Sequence, residues 1–307
     1  MILRAPVIRF GPPSDGVRKG IQMSLANKLE GSERTLLRFC GLSNYLAIDT
    51  VRRRERACGR FIVKDDIVKP LSEALEDLGI ACRTAGFRMV ELEDRVPGTH
   101  HNGSFRFDNR AEGKAVFFFS FDPAFLEGAE IAEIHAQHGL VGELFGYPAC
   151  CVDAYLAGDP KTADRTPDMV KHTGPFPAIL NPAVQYMYAG LSLLFHFPCS
   201  AGCEASLSLA QHRLGRLMKN APEMSLLEDL GRGITLYGES VGVALVTQYE
   251  CIEPHTFDCE QVLSQDARVF SIFQNASSTR LHLLEPRRFM IGDRLFDAPH
   301  QFAAKFE

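Results

Sequence analysis

The spacing of hydrophobic positions changes along the chain. A charged stretch near 32–56 has helical spacing and precedes the apolar run 59–63 and a second helical stretch at 70–78. The run 115–121 is then apolar almost throughout and rich in phenylalanine. Because an apolar run of this length has no polar face, it predicts a central strand that is covered on both sides.

The pattern differs in the second half of the chain. Positions 123–220 are mostly spaced as in helices, apart from a loop at 158–182 that is rich in Pro, Asp and Thr. Beyond position 231, apolar and β-branched residues return in short runs bounded by turn residues, which predicts strands. These runs lie at 233–238, 241–246, 269–273, 281–283 and 289–291.

These patterns predict a mixed α+β fold in three parts. A helical, cysteine-bearing centre (123–220) lies between a strand-containing N-terminal α/β lobe (1–122) and a strand-rich C-terminal lobe (221–307). With 307 residues and 46% hydrophobic content, the chain is long enough to bury a substantial core.

Charge and hydropathy limit the partners that we expect. The 33 basic and 38 acidic residues give a net charge of −5, so we expect neither a nucleic acid nor a membrane surface as a partner, and a small-molecule substrate is favoured. No apolar run approaches the roughly 20 residues that cross a bilayer, and the start lacks a signal-peptide pattern. We therefore expect a cytoplasmic protein, whose nine cysteines are reduced thiols or metal ligands instead of disulfides.

Two turns carry four of the nine cysteines. They have the sequences Gly-Tyr-Pro-Ala-Cys-Cys at 146–151 and His-Phe-Pro-Cys-Ser-Ala-Gly-Cys at 196–203. In both, a proline that favours helix initiation precedes the thiols, and a helix N-terminus stabilises a thiolate through its free N–H groups and dipole. The predicted metal ligands are Cys150, Cys151, Cys199 and Cys203.

The second turn has a spacing that would bring its thiols together. Cys203 lies on the apolar stripe of a predicted helix at 200–219. If that helix begins near Pro198, Cys199 lies four residues earlier on the same face, so both sulfurs reach one ion.

Three histidines are further candidate ligands. His135 and His138 share the apolar face of a predicted continuous helix with Ile131 and Ile134, and that helix leads into the first cysteine pair. His196 precedes the second pair. His135 and His138 have two interpretations, as neutral histidines hydrogen-bonded in the core or as metal ligands, whereas His196 is expected in an extended conformation from which it could reach the same ion.

The cysteine spacing favours an iron–sulfur cluster, with Zn²⁺ as the alternative. A vicinal pair plus Cys-x-x-x-Cys matches no zinc-finger pattern well, whereas clusters accept irregular spacings. Three thiolate ligands would leave one iron open to substrate, and four would suit electron transfer or a structural role. Two further hypotheses remain, namely small core cysteines and a redox switch of vicinal thiols.

The two motifs together resemble the signature of a prokaryotic family of unknown function. The resemblance rests on Gly-Tyr-Pro-x-Cys-Cys, an upstream His-Gly at 138–139 and Pro-Cys-Ser-x-x-Cys-x-x-Ser at 198–206, and it covers about 130–215. The family has no assigned reaction. The resemblance implies only that the four cysteines work together with His138 or His196.

Other chemical motifs are weak or missing. The basic cluster at 52–56, with Arg60, could bind phosphate or nucleic acid, but a solvated helix face is the favoured interpretation. The sequence contains no phosphate-binding loop, dinucleotide fingerprint, serine-hydrolase elbow or His-Glu-x-x-His motif. Cys251 and Cys259 flank His255 and Asp258 in a second possible metal loop, for which a loop without ligand is the favoured interpretation.

Two classes of function therefore remain. The first is a metalloenzyme that acts on a small molecule, with Glu143, Asp153 or a histidine as acid–base group and no assigned catalytic residue. The second is a non-catalytic protein that is zinc-stabilised or senses redox state through its thiols. An open ligand position beside a pocket would favour the enzyme, and a closed site with four ligands would favour the second class.

Overall fold

A computed structural model describes residues 9–11, 15–91, 105–108, 113–159, 164–188 and 190–307. These residues form helices and two β-sheets, which confirms the mixed α+β fold. The helices are α1 Asp15–Ala26, α2 Gly31–Arg52, α3 Asp65–Glu76, α4 Pro123–Ile134, α5 His138–Leu144, α6 Ala149–Ala157, α7 Ala183–Met187, α8 Glu204–Asn220, α9 Leu226–Leu230 and α10 Ala267–Asn275. The strands are β1 Arg9–Gly11, β2 Cys58–Val63, β3 Ala81–Glu91, β4 Phe105–Asp108, β5 Lys114–Ser120, β6 Gly233–Gly238, β7 Gly242–Glu253, β8 Thr256–Ser264, β9 Arg280–Glu285, β10 Arg288–Ile291, β11 Arg294–Asp297 and β12 Gln301–Phe306. No helix in these ranges is long and apolar enough to span a membrane.

The smaller sheet has the order β2-β5-β3-β4, with every neighbouring pair antiparallel. The predicted central strand is confirmed, because β5 lies between β2 and β3. Phe117 and Phe119 point to one face, where they join a core with residues of α2 and α3, and Val116 and Phe118 point to the other, where α4 packs. Both faces of β5 are covered, and this explains why its sequence does not alternate between apolar and polar residues.

The larger sheet has eight strands in the order β11-β10-β9-β8-β7-β6-β12, and β1 pairs in parallel with β8. Its inner strands are also buried on both faces. Tyr237, Leu245 and Phe302 belong to the core that contains residues of α2, α3 and α8, whereas Leu236 and Val246 pack on the opposite face with residues of α10. The larger sheet and the N-terminal helices thus share one core.

The strand predicted at 269–273 is wrong, because this segment is part of α10. Asp266 caps that helix by accepting a hydrogen bond from the backbone N–H of Arg268. The buried residues Val269, Ile272 and Phe273 have the three- and four-residue spacing of one helix face. The apolar run was too short to separate helix from strand by composition, and the cap decides the outcome.

The continuous helix predicted through His135 and His138 is also wrong. Helix α4 ends at Ile134, and α5 begins at His138 after a turn in which Ala136 has φ of 51°. Because of this turn, His138 does not continue the helix face that the periodicity predicted for α4. Helix α4 itself buries Leu126, Ala129 and Ala132 instead of the predicted face, so Ile131 and Ile134 are 46% and 56% exposed.

Candidate metal centre

The four cysteines predicted as ligands lie together in the structure. Their sulfur atoms all lie within 4.8 Å of one another, and the group is Cys150, Cys151, Cys199 and Cys203. Three Sγ–Sγ distances are short: 3.9 Å from Cys150 to Cys151, 3.8 Å from Cys150 to Cys203 and 3.7 Å from Cys151 to Cys203. Thiolates at such spacing could hold a metal ion.

Helix starts position three of the sulfurs. Cys150 and Cys151 lie in the first turn of α6, directly after Pro148. Cys203 is the N-cap of α8, which begins at Glu204. The two helices thus direct their N-terminal ends at the cluster, where free N–H groups favour negative charge.

The route by which Cys199 reaches the cluster differs from the prediction. Helix α8 begins after Cys203 and not near Pro198, so the two cysteines do not share a helix face. Cys199 instead lies in an irregular loop whose Ala201 donates a backbone hydrogen bond to the carbonyl of Met169. A turn, closed by the bond from Cys203 N to Ser200 O, brings both sulfurs to the same place.

Backbone and hydroxyl groups contact the sulfurs. The N–H of Cys199 donates to Cys151 Sγ at 3.3 Å, and the N–H of Ser206 donates to Cys203 Sγ at 3.5 Å. The Ser206 hydroxyl lies 3.3 Å from Cys151 Sγ and 2.9 Å from His196 Nε2. Donors directed at sulfur stabilise thiolates, which are the form that binds metal.

Three of the thiols, Cys151, Cys199 and Cys203, differ in their tendency to ionise. Burial alone would raise the pKa of Cys203, but hydrogen bonds from the hydroxyl and N–H of Ser206 and from Cys199 and Cys151 lower that pKa to about 7. Burial raises the pKa of Cys199 to about 11, and it raises the pKa of Cys151 more strongly. Of these three thiols, Cys203 ionises first, and its charge disfavours ionisation of Cys151 and Cys199 until a cation binds.

The cluster is open to solvent on one side. Cys151 and Cys203 are buried, Cys199 is partly buried and Cys150 is exposed. An ion held by all four thiolates would have its tetrahedral positions filled by protein. Such a site has no position left for a substrate.

The predicted histidine ligands lie outside this group of four. His135 and His138 are exposed, because the turn between α4 and α5 directs them away from the core. His196 contacts the cluster indirectly, through Ser206. Burial, with a smaller contribution from Arg213, lowers the pKa of His196 to about 3, so this imidazole is neutral at physiological pH.

The other predicted chemical groups are dispersed. Glu143 and Asp153, the candidate acid–base residues, are both exposed. Cys251 and Cys259 lie on the adjacent strands β7 and β8, the first exposed and the second buried, and belong to no metal-ligand group among the described residues. The segment between them is a hairpin and not the loop that the sequence suggested.

A cavity of about 710 Å³ adjoins the cysteine cluster, and Cys151 forms part of its wall. The remaining wall comes from α2, β2, α4–α6 and the segment 166–198. Its polar lining includes Arg56, Arg60, Glu133, His138, Tyr147, Asn181 and His196. Cavities of about 300–1,000 Å³ are typical of small-molecule sites.

Sequence reasoning missed three residues of this region. Ser206, which contacts Cys151 and lies close to Cys203, stands in the second motif and could have been found there as the last serine of Pro-Cys-Ser-x-x-Cys-x-x-Ser. Arg56 belongs to the basic cluster at 52–56, and its interpretation as part of a solvated face is wrong, because it is only 7% exposed. Arg213, which also lies beside the cavity residue Phe195, gives no such signal, because only the fold brings it close to Arg56.

Comparisons with known proteins identify no relative. No protein-family model matches the sequence, and no curated protein or solved structure matches it significantly. The functional conclusion therefore depends on the geometry of the cysteine cluster and the adjoining cavity.

Proposed function

We propose that this protein binds one zinc ion through Cys150, Cys151, Cys199 and Cys203, and that the ion holds one wall of a small-molecule binding cavity. The observation that carries the proposal is the sulfur spacing of 3.7–3.9 Å. With zinc–sulfur bonds of about 2.3 Å, the sulfurs of a regular tetrahedral site lie about 3.8 Å apart.

The same spacing favours a single ion over the iron–sulfur cluster that the sequence suggested. In a four-iron cluster each thiolate binds a different iron, so the sulfurs are separated by the metal–metal distances as well. Three sulfurs within 3.9 Å of one another instead fit around one ion. Zinc is preferred because tetrahedral sites with four thiolates are typical of structural zinc.

In this proposal the zinc has a structural role. Four thiolates complete its coordination, so no position remains at which it would activate water or a substrate. The ion joins the start of α6 to the start of α8 and to the loop that carries Cys199. The segment between these points contributes much of the cavity wall, and the ligand-binding chemistry belongs to the cavity side chains.

The first prediction concerns metal content. Changing Cys151→Ala or Cys203→Ala removes one of four ligands, and we expect bound zinc to fall from one ion per chain to a small fraction of that. The matched control is Cys259→Ala, because Cys259 is equally buried but belongs to no cysteine group. Elemental analysis, with acid-labile sulfide, on protein purified without a metal-binding tag measures the outcome.

The outcomes of this experiment are distinct. One zinc per chain without sulfide in the parent protein, lost in the two site variants alone, supports the proposal. Iron with stoichiometric sulfide would indicate an iron–sulfur cluster instead of zinc. Equal zinc in all variants would mean that these cysteines do not form the metal site.

A second candidate function is thiol-based redox sensing, favoured by the exposure of Cys150 and its 3.8 Å distance from Cys203. Peroxide would oxidise the two thiols to a disulfide, with release of the metal and reduction of the peroxide to water. Zinc release that is stoichiometric with disulfide formation and reversed by a dithiol reductant would favour this function over a purely structural ion.

A further inference from the structure

Arg56 is a buried cation without a counter-charge. The residue is only 7% exposed and lines the cavity. Of its guanidinium nitrogens, Nη2 donates to the carbonyl of Ala47 at 2.8 Å, whereas Nε is buried without a hydrogen-bond partner. No carboxylate in the described part of the chain forms an ion pair with it. Burying a charge without a counter-charge is energetically unfavourable, so the presence of Arg56 here points to a role other than stability.

Arg213 repeats this situation next to Arg56. It is 3% exposed, donates through Nη1 to the carbonyl of Leu193 at 2.6 Å, and also leaves its Nε without a partner. The guanidinium carbons of Arg56 and Arg213 lie 4.9 and 4.7 Å from the ring centroid of Phe195, another cavity residue. Two positive charges therefore lie close together at one part of the wall.

Two neighbouring arginines, in contrast to Arg56 and Arg213, have carboxylate partners. Arg60, on the same cavity, forms an ion pair with Glu133. Arg216, one helical turn after Arg213, pairs with Asp49 and Glu55. Carboxylates are thus supplied around the cavity, but the two buried arginines beside Phe195 receive none from the described residues.

The backbone near Arg56 is shaped to admit its side chain. A Cβ at Gly59 would lie 2.3 Å from Phe119 Cζ and 2.6 Å from Arg56 Nη2, and a Cβ at Gly146 would lie 2.8 Å from Arg56 Cβ. Side chains at either position would therefore displace the arginine. Gly146 is the first residue of the Gly-Tyr-Pro-Ala-Cys-Cys turn, so the segment that carries two of the cysteines also makes room for Arg56.

We infer that the cavity binds a small organic anion whose carboxylate or phosphate group pairs with Arg56. A guanidinium recognises both groups through paired N–H donors, and Arg213 adds attraction from behind Phe195. His196 lines the same wall, and its Nδ1 is buried without a hydrogen-bond partner among the described residues. This inference rests on the small-molecule part of the proposed function and is independent of the identity of the metal.

The test compares the parent protein with Arg56→Gln and Arg56→Lys, each as the full chain with its metal. The probes are inorganic phosphate, adenosine monophosphate and succinate, with sodium chloride at equal ionic strength as the reference. Binding is measured by thermal shift and by calorimetry. We expect at least one probe to bind the parent protein. Arg56→Gln should raise the dissociation constant of that probe about tenfold to hundredfold, because a charge-assisted hydrogen bond is lost. Arg56→Lys should retain part of the affinity.

The arms of the experiment separate the possible outcomes. Preference for the phosphates over succinate, or the reverse, identifies the anionic group. Equal binding by the parent protein and Arg56→Gln, or no binding of any probe above the chloride reference, overturns the inference. A large fall in the melting temperature of ligand-free Arg56→Gln would show that Arg56 is kept for stability, and would also overturn it. Zinc content, measured in the same samples, reports separately on the metal site.

Discussion

At the scale of single residues, His196 is a buried, neutral histidine that contacts the cysteine site through Ser206. Its Nε2 lies 2.9 Å from the Ser206 hydroxyl, and burial keeps its pKa near 3. The unfolded chain, in which histidine has a pKa of about 6.5, binds more protons than the folded chain between these two values. Stability must therefore fall as the pH drops through this interval.

The change His196→Gln tests this linkage. We expect the parent protein to lose about 2 kcal/mol of unfolding free energy between about pH 7 and pH 5 through His196, and the variant to lack this contribution. Denaturant titrations of chelator-treated protein at both pH values measure the difference. The control is His135→Gln, because His135 is exposed, and it should keep the parent dependence. An unchanged pH dependence in His196→Gln would show that this imidazole is not held neutral by burial.

The residues of the site were predictable to different degrees. The thiols could be found because proline, helix start and cysteine stand next to one another, so local sequence carries the information. His135 and His138 were misplaced because the periodicity assumed a continuous helix, which the turn at Ala136 interrupts. The role of Arg56 and Arg213 could not be predicted from the sequence, because only the fold determines which distant carboxylates lie near each guanidinium.

At the scale of elements, capping decides structure where hydrophobicity is ambiguous. Strands β5 and β6 were predicted within one residue because both are apolar runs bounded by turn residues. The segment 269–273 has the same composition, but Asp266 precedes it and satisfies a free N–H of the first turn of α10. The N-cap and the helical spacing of the buried residues thus both favour a helix over a strand for this run.

Replacement of this cap is expected to weaken α10. Asp266→Ala should lower the unfolding free energy by about 1 kcal/mol, within the range of 0.5–2 kcal/mol that is typical of N-cap losses. Arg268→Ala is the control, because it removes the ion pair with Asp266 but leaves the cap in place. Denaturant unfolding should show a smaller loss for Arg268→Ala, since an exposed ion pair contributes little. Equal losses would assign the effect to the ion pair.

At the scale of the whole molecule, one core connects segments that are distant in the chain. It contains Leu36 and Leu46 of α2, Leu214 of α8 and Phe302 of β12. The sequence predicts the helical and strand-rich segments but not their shared core, because that requires knowing which faces meet. The cavity and the cysteine cluster lie where the N-terminal sheet, the helical centre and the irregular segment 164–203 come together.

Removal of the metal should act locally in this architecture. Treatment with a chelator is expected to raise amide hydrogen exchange in 164–203 and at the start of α6, because the ion is the link between them. The strands β6 and β12, which are buried on both faces, should stay protected. Exchange mass spectrometry of metal-loaded and chelated protein measures both regions. A uniform increase over all strands would instead mean that the ion supports the entire fold.

In the proposed zinc site, an ion bound by both Cys151 and Cys203 would close a loop across 52 positions. By analogy with a covalent cross-link, closing a loop of this length removes unfolded-state entropy equivalent to about 4 kcal/mol. Because residues of that loop also line the cavity, we expect metal binding at the cysteines and anion binding in the cavity to be thermodynamically linked. Linkage is reciprocal, so the factor by which the metal tightens anion binding is the factor by which the anion tightens metal binding against a competing chelator. Filling the cavity should therefore raise the chelator concentration that is needed to empty the cysteine site.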